Sequence, residues 1–384
     1  MIIKNLAIKN FKSIEDIEMS LNRLTILIGA NASGKSNIVN AFHFISDIIV
    51  EGLDNAIALQ GGMEYLPNAS LPKGTPIEVS FQMDFTDQNW IKSLDKKKYV
   101  LELKSLNYGF KIQPNKRGSG YKISSDDLSI QFSCLEVPAS KDADDYVDLN
   151  LDYTLHVFKK SHKSLYKVEH LLSGDCNNYD NIKKILEEDI TSRVFLKFSN
   201  ENRNELMLCR LSILLPPCIS EDRFIRIFDF DPKELKKPSS MASTKILKED
   251  GSNIAAVLNN LLRVKEHKKK LTLLLKEFLP FVKDLKIENN MDKSFSYTVK
   301  ETYSNKTFYA NFLSDGTVSI LAIIIALYFE ELSNLVILEE PERNLHPKLL
   351  ASILSAADDV SKDKQIIITT HNPEFIVNGK SLVY

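Results

Sequence analysis

At 384 residues the chain has length for two or three structural units, and 43% hydrophobic with 26% charged residues excludes both a disordered chain and a membrane-embedded one. Forty-nine Lys+Arg against 51 Asp+Glu leave a formal charge of -2, which excludes a globally basic nucleic-acid surface and leaves only a local groove for that role. The four cysteines, Cys134, Cys176, Cys209 and Cys218, contain no CxxC pair, so neither zinc nor a disulfide framework is implied, and with no export core at the start a cytoplasmic protein is expected.

Residues 2–8 and 14–21 read as strands, and 24–28 (Leu-Thr-Ile-Leu-Ile) as a β-branched run of the kind buried on both faces of a sheet. A glycine-rich turn follows, and Ile38, Ala41, Phe42 and Ile45 recur at helical spacing on a helix that opens near Ser36. From about residue 75 the pattern alternates: Ile77, Val79, Phe81, Met83 and Phe85 point one way, and 99–106, 108–113, 128–132 and 147–158 continue it as an antiparallel meander. Helical and strand signals mix from residue 180, a strand-like stretch ends at Pro232, and 233–245 reads as a loop. Residues 252–278 form one Leu-rich helix, about 40 Å long at 1.5 Å per residue, stopped by Pro280. Two strands near Leu285 and Phe295 lead to an α/β alternation: helix 317–332, strand 335–338, helix 347–360, strand 365–369 and a short strand at Leu382. The longest apolar run, 320–329, is half of the roughly 20 residues a bilayer demands, so no membrane partner is expected.

Gly29-Ala-Asn-Ala-Ser-Gly-Lys-Ser36 fits GxxxxGK(S/T), placed after a buried strand and at the mouth of a helix. Glycines let the backbone curl so that successive N–H groups face phosphate, and the helix N-terminus adds its positive dipole end. Asn31, Ala32, Ser33, Gly34, Lys35, Ser36 and Asn37 are therefore the candidate ATP-binding residues. Lys35 reaches the β- and γ-phosphates, and the Ser36 hydroxyl ligates Mg²⁺. Leu335-Val-Ile-Leu-Glu-Glu340 supplies the acidic partner: four apolar residues end in two carboxylates at a strand's C-terminal end, where α/β sheets place ligands.

Leu313-Ser-Asp-Gly-Thr317 resembles the signature motif of ABC-type ATPases; Glu339 follows 25 positions after Ser314, and His371 follows 31 after Glu340. The order phosphate loop, signature, carboxylates, histidine is that of the ABC/structural-maintenance-of-chromosomes superfamily. The Asn10-Phe-Lys12 opening, Asp250-Gly-Ser-Asn253, Glu339-Glu-Pro-Glu-Arg-Asn-Leu-His-Pro347 and Thr370-His-Asn-Pro373 further resemble the RecF-like ATPases related to the ATPase half of overcoming-lysogenisation-defect nucleases.

The resemblance implies an α/β, ABC-type P-loop ATPase head built from both chain ends, 1–64 and 246–384, with 65–245 inserted as a mixed α+β lid or arm. It implies a homodimer or higher homo-oligomer that sandwiches two ATPs, with Ser314 and Gly316 donating to the γ-phosphate of the opposite chain. His371 is then the γ-phosphate switch histidine, Glu340 the base that polarises water, Lys35 a catalytic cation, and Glu339 a Mg²⁺-side ligand. Asn344 to His346 belong to a loop crossing the dimer interface, and Lys12 is a further nucleotide contact. Glu339 departs from the aspartate usual in the family, and the glutamine of the Q-loop falls among Gln60, Gln82, Gln113 and Gln131.

Taken alone, Ser314 is also an ordinary helix N-cap, His371 a strand-end loop residue, and His346-Pro347 a helix start. The basic runs at 96–98, 159–163 and 267–270 read as solvated faces, with phosphate tracking the alternative, and Asp229-Phe-Asp231 as a loop. The resulting expectation is an ATP-driven switch or clamp, in antiviral defence or DNA repair, acting on DNA or on a separate effector such as a nuclease. With 13 residues after His371, too short for a domain, any nuclease activity is expected to belong to a separate partner protein. A nucleotide-sensing scaffold with negligible hydrolysis is the alternative.

Overall fold

The computed structural model describes residues 1–85, 91–94, 99–116, 120–136, 147–160, 166–174, 179–180, 182–184, 186–187, 205–210, 224–304, 306–330, 333–343, 345–373 and 382–383. In chain order the strands are β1 (Ile2–Phe11), β2 (Ile14–Ser20), β3 (Leu24–Ile28), β4 (Ile77–Asp84), β5 (Ile91–Leu94), β6 (Tyr99–Pro114), β7 (Tyr121–Glu136), β8 (Val147–Lys160), β9 (Lys167–Gly174), β10 (Ile225–Phe228), β11 (Ser239–Ser240), β12 (Val282–Asn289), β13 (Ser294–Glu301), β14 (Thr307–Tyr309), β15 (Leu335–Glu339), β16 (Gln365–Thr370) and β17 (Leu382–Val383). The helices are α1 (Lys35–Glu51), α2 (Leu53–Leu59), α3 (Pro232–Leu235), α4 (Ile254–Arg263), α5 (Lys265–Phe278), α6 (Asp315–Tyr328) and α7 (Lys348–Val360). Among the described residues no helix is long and apolar enough to cross a membrane.

The chain divides into two units, Met1–Asn22 with Ser36–Phe224 and Arg23–Lys35 with Ile225–Tyr384. This division differs from the expected boundaries at 64/65 and 245/246. The reason is long-range pairing: β1 joins β4 antiparallel, Leu6 opposite Phe81, and so the N-terminal strands fall with the β-rich region. In that first unit the order is β2-β1-β4-β6-β7-β8-β9, with β5 on β6, antiparallel as the alternating pattern requires. The stretches 99–106 and 108–113 are one strand, β6, paired along its length with β7.

The second unit contains a parallel sheet in the order β10-β15-β16-β3-β17. Its central strands are continuous apolar runs because helices cover such sheets on both faces; Ile26, Val336, Ile337, Ile366, Ile367 and Ile368 are fully buried. Helix α6 is apolar all round and buried from Thr317 to Leu327. A smaller sheet, β11-β13-β12 with β14 on β13, packs with α4.

The expected single helix over 252–278 is two, α4 and α5, since Val264 adopts extended dihedrals (φ -91°, ψ 122°) and ends one helix while starting the next. Residues 233–245 are not wholly a loop: Asp231 caps α3 by accepting from Lys233 N (2.8 Å), and β11 follows.

Candidate nucleotide-binding and hydrolysis site

Three strand ends of the parallel sheet meet in register. Glu339 pairs with Thr369 across β15 and β16, and Thr370 pairs with Ile28 across β16 and β3. The carboxylate strand, the histidine strand and the glycine-loop strand therefore finish side by side, and backbone bonds continue past their ends. Glu340 N donates to Thr369 O (2.9 Å), and Gly29 N to Thr370 O (3.3 Å).

The loop after β3 curls as its sequence requires. Ala32 (φ 64°) and Gly34 (φ 101°) are left-handed, and Ser33 N donates to Ala30 O (3.2 Å). A Cβ at Gly29 would stand 2.5 Å from Ser33 Oγ and 3.2 Å from Ser33 Cβ, so a larger residue there would have to displace the Ser33 side chain. Lys35, buried at 8% exposure, folds its ammonium into the loop, donating to Gly29 O (2.6 Å) and Ala30 O (2.9 Å). Gly29, Asn31, Ala32, Ser33, Gly34 and Lys35 thus form a cradle at the mouth of α1, with Ser36 the helix's second residue. A curled glycine backbone with a lysine aimed into it fits the phosphates of a nucleotide.

Glu340 turns the chain sharply off β15 with φ 40°, a left-handed conformation that costs a non-glycine residue about 1 kcal/mol or more and recurs at functional sites. Arg343 Nε donates to Glu340 Oε2 (2.9 Å) and Arg343 Nη1 to Asp229 Oδ1 (2.7 Å). Burial pushes the Glu340 carboxyl up, but the Arg343 hydrogen bond and charge, followed by His371 and Lys35, outweigh it and hold it below the usual carboxylate range. His371 Nδ1 lies 3.7 Å from Glu340 Oε1 and 3.5 Å from Glu342 Oε1.

The structure brings Glu339, Glu340, His371 and the 29–35 loop to neighbouring strand ends of the second unit. Ser314 is the N-cap of α6, its hydroxyl accepting from Thr317 N (3.2 Å), with Gly316 in the first turn; Asp315 pairs with Lys236 (2.5 Å). Asn344 lies outside the described residues, and His346 and Pro347 are exposed ahead of α7. Lys12 and Asn37 belong to the first unit. Lys12 is left-handed (φ 50°), burial holds its ammonium below the ordinary lysine value, and Asn37 donates to Ser13 Oγ (2.5 Å).

Parts of the quoted motifs have architectural duties. Buried Asn10 donates to Thr75 O (2.7 Å) and accepts from Asn68 N (2.9 Å), and buried Asn253 ties the 244–248 loop through Thr244 O, Ile246 O and Lys248 N. Of the four glutamines, Gln82, Gln113 and Gln131 bond Asn5, Gly74 O and Ser105 within the first unit. Asp229 is the Arg343 partner, a role its sequence neighbourhood does not signal. Glu342, Arg343 and Thr370 stand inside the quoted motifs, yet only their tertiary partners disclose what they hold.

A family model described as an AAA ATPase domain matches residues 1–376. No curated protein matches the chain. Among solved structures, an SmcHead bound to the C-winged helix domain of ScpA is similar, with a TM-score of 0.51 and 14% identity, over 99% of this chain and 93% of that one. The SMC head domain from Thermotoga maritima aligns at a TM-score of 0.45 and 14% identity, over 100% of this chain and 94% of that one. At such identity the first of these speaks for the fold, the mixed α/β fold of SMC head domains. With the family model running through nearly all of its length, the chain belongs to the AAA ATPase domain family.

Proposed function

We propose that the chain binds ATP with Mg²⁺ on its 29–37 loop and hydrolyses it within a dimer of heads, working as a switch on a partner effector or on nucleic acid. The observation that carries this reading is the register of the three strand ends, Glu339 beside Thr369 and Thr370 beside Ile28.

The loop N–H groups and Lys35 hold and neutralise the phosphates, and Ser36 with Glu339 are the side chains that would hold the metal. The metal supplies charge neutralisation at the transferring phosphoryl group. Glu340 accepts a hydrogen bond from the attacking water and aligns it, so that as the new P–O bond forms the bond to ADP breaks. His371 donates to the terminal phosphate, and Ser314 with the α6 N-terminus offers donors to the nucleotide of a second chain. That one solved SMC head is bound to ScpA supports the idea that such a head takes a separate protein partner; here the partner proposed is an effector such as a nuclease.

Binding and turnover of ATP by Lys35→Ala and Glu340→Gln test the assignment. Lys35→Ala should lose nucleotide binding, whereas Glu340→Gln should bind ATP and fail to turn it over. Equal hydrolysis by Glu340→Gln and the unaltered chain would remove Glu340 from the chemistry. ATP binding without turnover in the unaltered chain would favour the sensing-scaffold reading.

A further inference from the structure

Glu342 sits in the turn between β15 and α7 with its side chain only 5% exposed. Its Oε1 accepts from the Thr370 hydroxyl (2.5 Å) and from His371 N–H (3.3 Å), which fastens the end of β16 to this turn. Its Oε2 is buried and has no hydrogen-bond partner. Burying an acceptor without a partner is unfavourable, and two hydrogen bonds to Oε1 alone do not demand a carboxylate, since an amide carbonyl accepts as well. The negative charge of this buried acid therefore asks for a second duty.

The His371 ring supplies it, with Nδ1 beside Oε1 rather than the unpartnered Oε2. The residue is about half exposed and stands just past the end of β16. Its Nδ1 edge, however, faces two carboxylates, Glu342 at 3.5 Å and Glu340 at 3.7 Å. Because Nδ1 and Nε2 lie on opposite edges of the imidazole, engagement of Nδ1 leaves Nε2 as the nitrogen free to meet a phosphate oxygen. Glu340 is itself held by Arg343 and is the candidate water-orienting group, so Glu342 is the carboxylate without another task in the site.

We propose that Glu342 is the positioning residue for His371: anchored on the Thr370 hydroxyl, it fixes the imidazole by its Nδ1 edge and presents Nε2 to the terminal phosphate. This rests on reading the site as an ATP site. A purely architectural Glu342 would tie β16 to the turn and leave the ring indifferent to its charge.

The test is Glu342→Gln in the full chain, an isosteric change that keeps a carbonyl for Thr370. The ring signals of His371, one of 7 histidines, are followed by NMR without nucleotide and assigned by their loss in His371→Ala. In Glu342→Gln the His371 ring signal should move while those of the other histidines and the melting temperature hold. With ATP, kcat should fall about tenfold, with binding of a non-hydrolysable analogue kept within about twofold. Glu342→Asp, one methylene shorter with the charge retained, should recover part of the rate. In a His371→Ala background the Glu342→Gln change should cost nothing further, because the two act as one unit. An unmoved His371 signal, or a rate loss that adds in full to His371→Ala, overturns the proposal. Absence of nucleotide binding by the unaltered chain strikes the ATP-site reading and the phosphate-facing role with it, while the ring signal alone decides whether Glu342 holds His371.

Discussion

Arg343 grips Glu340 and Asp229 at the same time, through Nε at 2.9 Å and Nη1 at 2.7 Å. One carboxylate oxygen of Glu340 is thereby occupied, and the other points to the His371 edge. Removing the guanidinium should loosen the carboxylate and cut kcat about tenfold, with nucleotide affinity little changed. It should also move the pH profile. A base must be ionised, and Arg343 helps hold the Glu340 carboxyl below its ordinary range, so activity in the unaltered chain persists further into acid. In Arg343→Ala the acidic limb of kcat should shift to higher pH. An unmoved limb would mean that Arg343 only braces the loop against Asp229.

The sheet strands that build the site were legible because Leu24–Ile28 and Leu335–Glu339 are continuous apolar runs with the motif residues at their C-terminal ends, and parallel pairing fixes the rest. The carboxylate-to-histidine neighbourhood was expected from the family resemblance and not from the run pattern, which alone makes His371 a strand-end loop residue. What escaped is decided by partners far along the chain. Nothing near Glu342 marks it as buried, since its partner Thr370 is 28 positions away. The break at Val264 is one extended residue, invisible to a 3.6-residue period that resumes at once in α5. Nor does a strand's alternation name its neighbour, so β1 reads equally well with β3 or, as found, with β4.

Asp126 is a further case, buried in the first unit where Tyr108 (2.6 Å) and Tyr166 (2.8 Å) donate from hydroxyls and Met207 donates from its N–H (2.9 Å). Burial pushes its carboxyl up to about 6 from 3.8, against the lowering pull of those three donors and of Lys159. An acid whose pKa is raised on folding binds its proton more tightly in the native state. Stability therefore falls as pH rises between the two values, by about 3 kcal/mol, and levels off above them. Urea unfolding should show the unaltered chain gaining stability relative to Asp126→Asn as pH is lowered from neutrality towards 4. A difference that does not vary with pH would refute the burial argument.

The run 267–270 contains residues of two kinds. Lys270 Nζ donates to Tyr328 O (2.8 Å) and sits 5.2 Å over the Phe329 ring, pinning α5 to the end of α6, while Lys268 and Lys269 are exposed on the same helix. Lys270→Ala should lower stability by about 1 kcal/mol and leave any DNA affinity intact. If this helix tracks phosphates, Lys268→Ala with Lys269→Ala should flatten the dependence of log affinity on log salt by about 1.8, at roughly 0.9 per lost contact. A slope unchanged by the pair makes this helix face a solvated surface, as its charge run alone reads.

The dimer reading has a sharper consequence, because a site completed in trans can be rebuilt from two damaged chains. Ser314 caps α6, so Ser314→Ala removes both the cap and a phosphate donor; loss of the cap costs about 1 kcal/mol, too little to unfold the chain. Lys35→Ala disables the loop of the same protomer, and each variant alone should be nearly inactive. In a two-fold sandwich the mixed dimer pairs one intact Lys35 loop with one intact Ser314 helix and places both lesions in the other site. An equimolar mixture that exchanges freely should therefore recover about a quarter of the unaltered activity, since half the dimers are mixed and each carries one working site. The measurement is ATP turnover before and after mixing, with dimer exchange followed by labelled chains. Exchange without recovery would show that Ser314 serves its own chain's nucleotide or none, and would leave α6 with its capping duty alone.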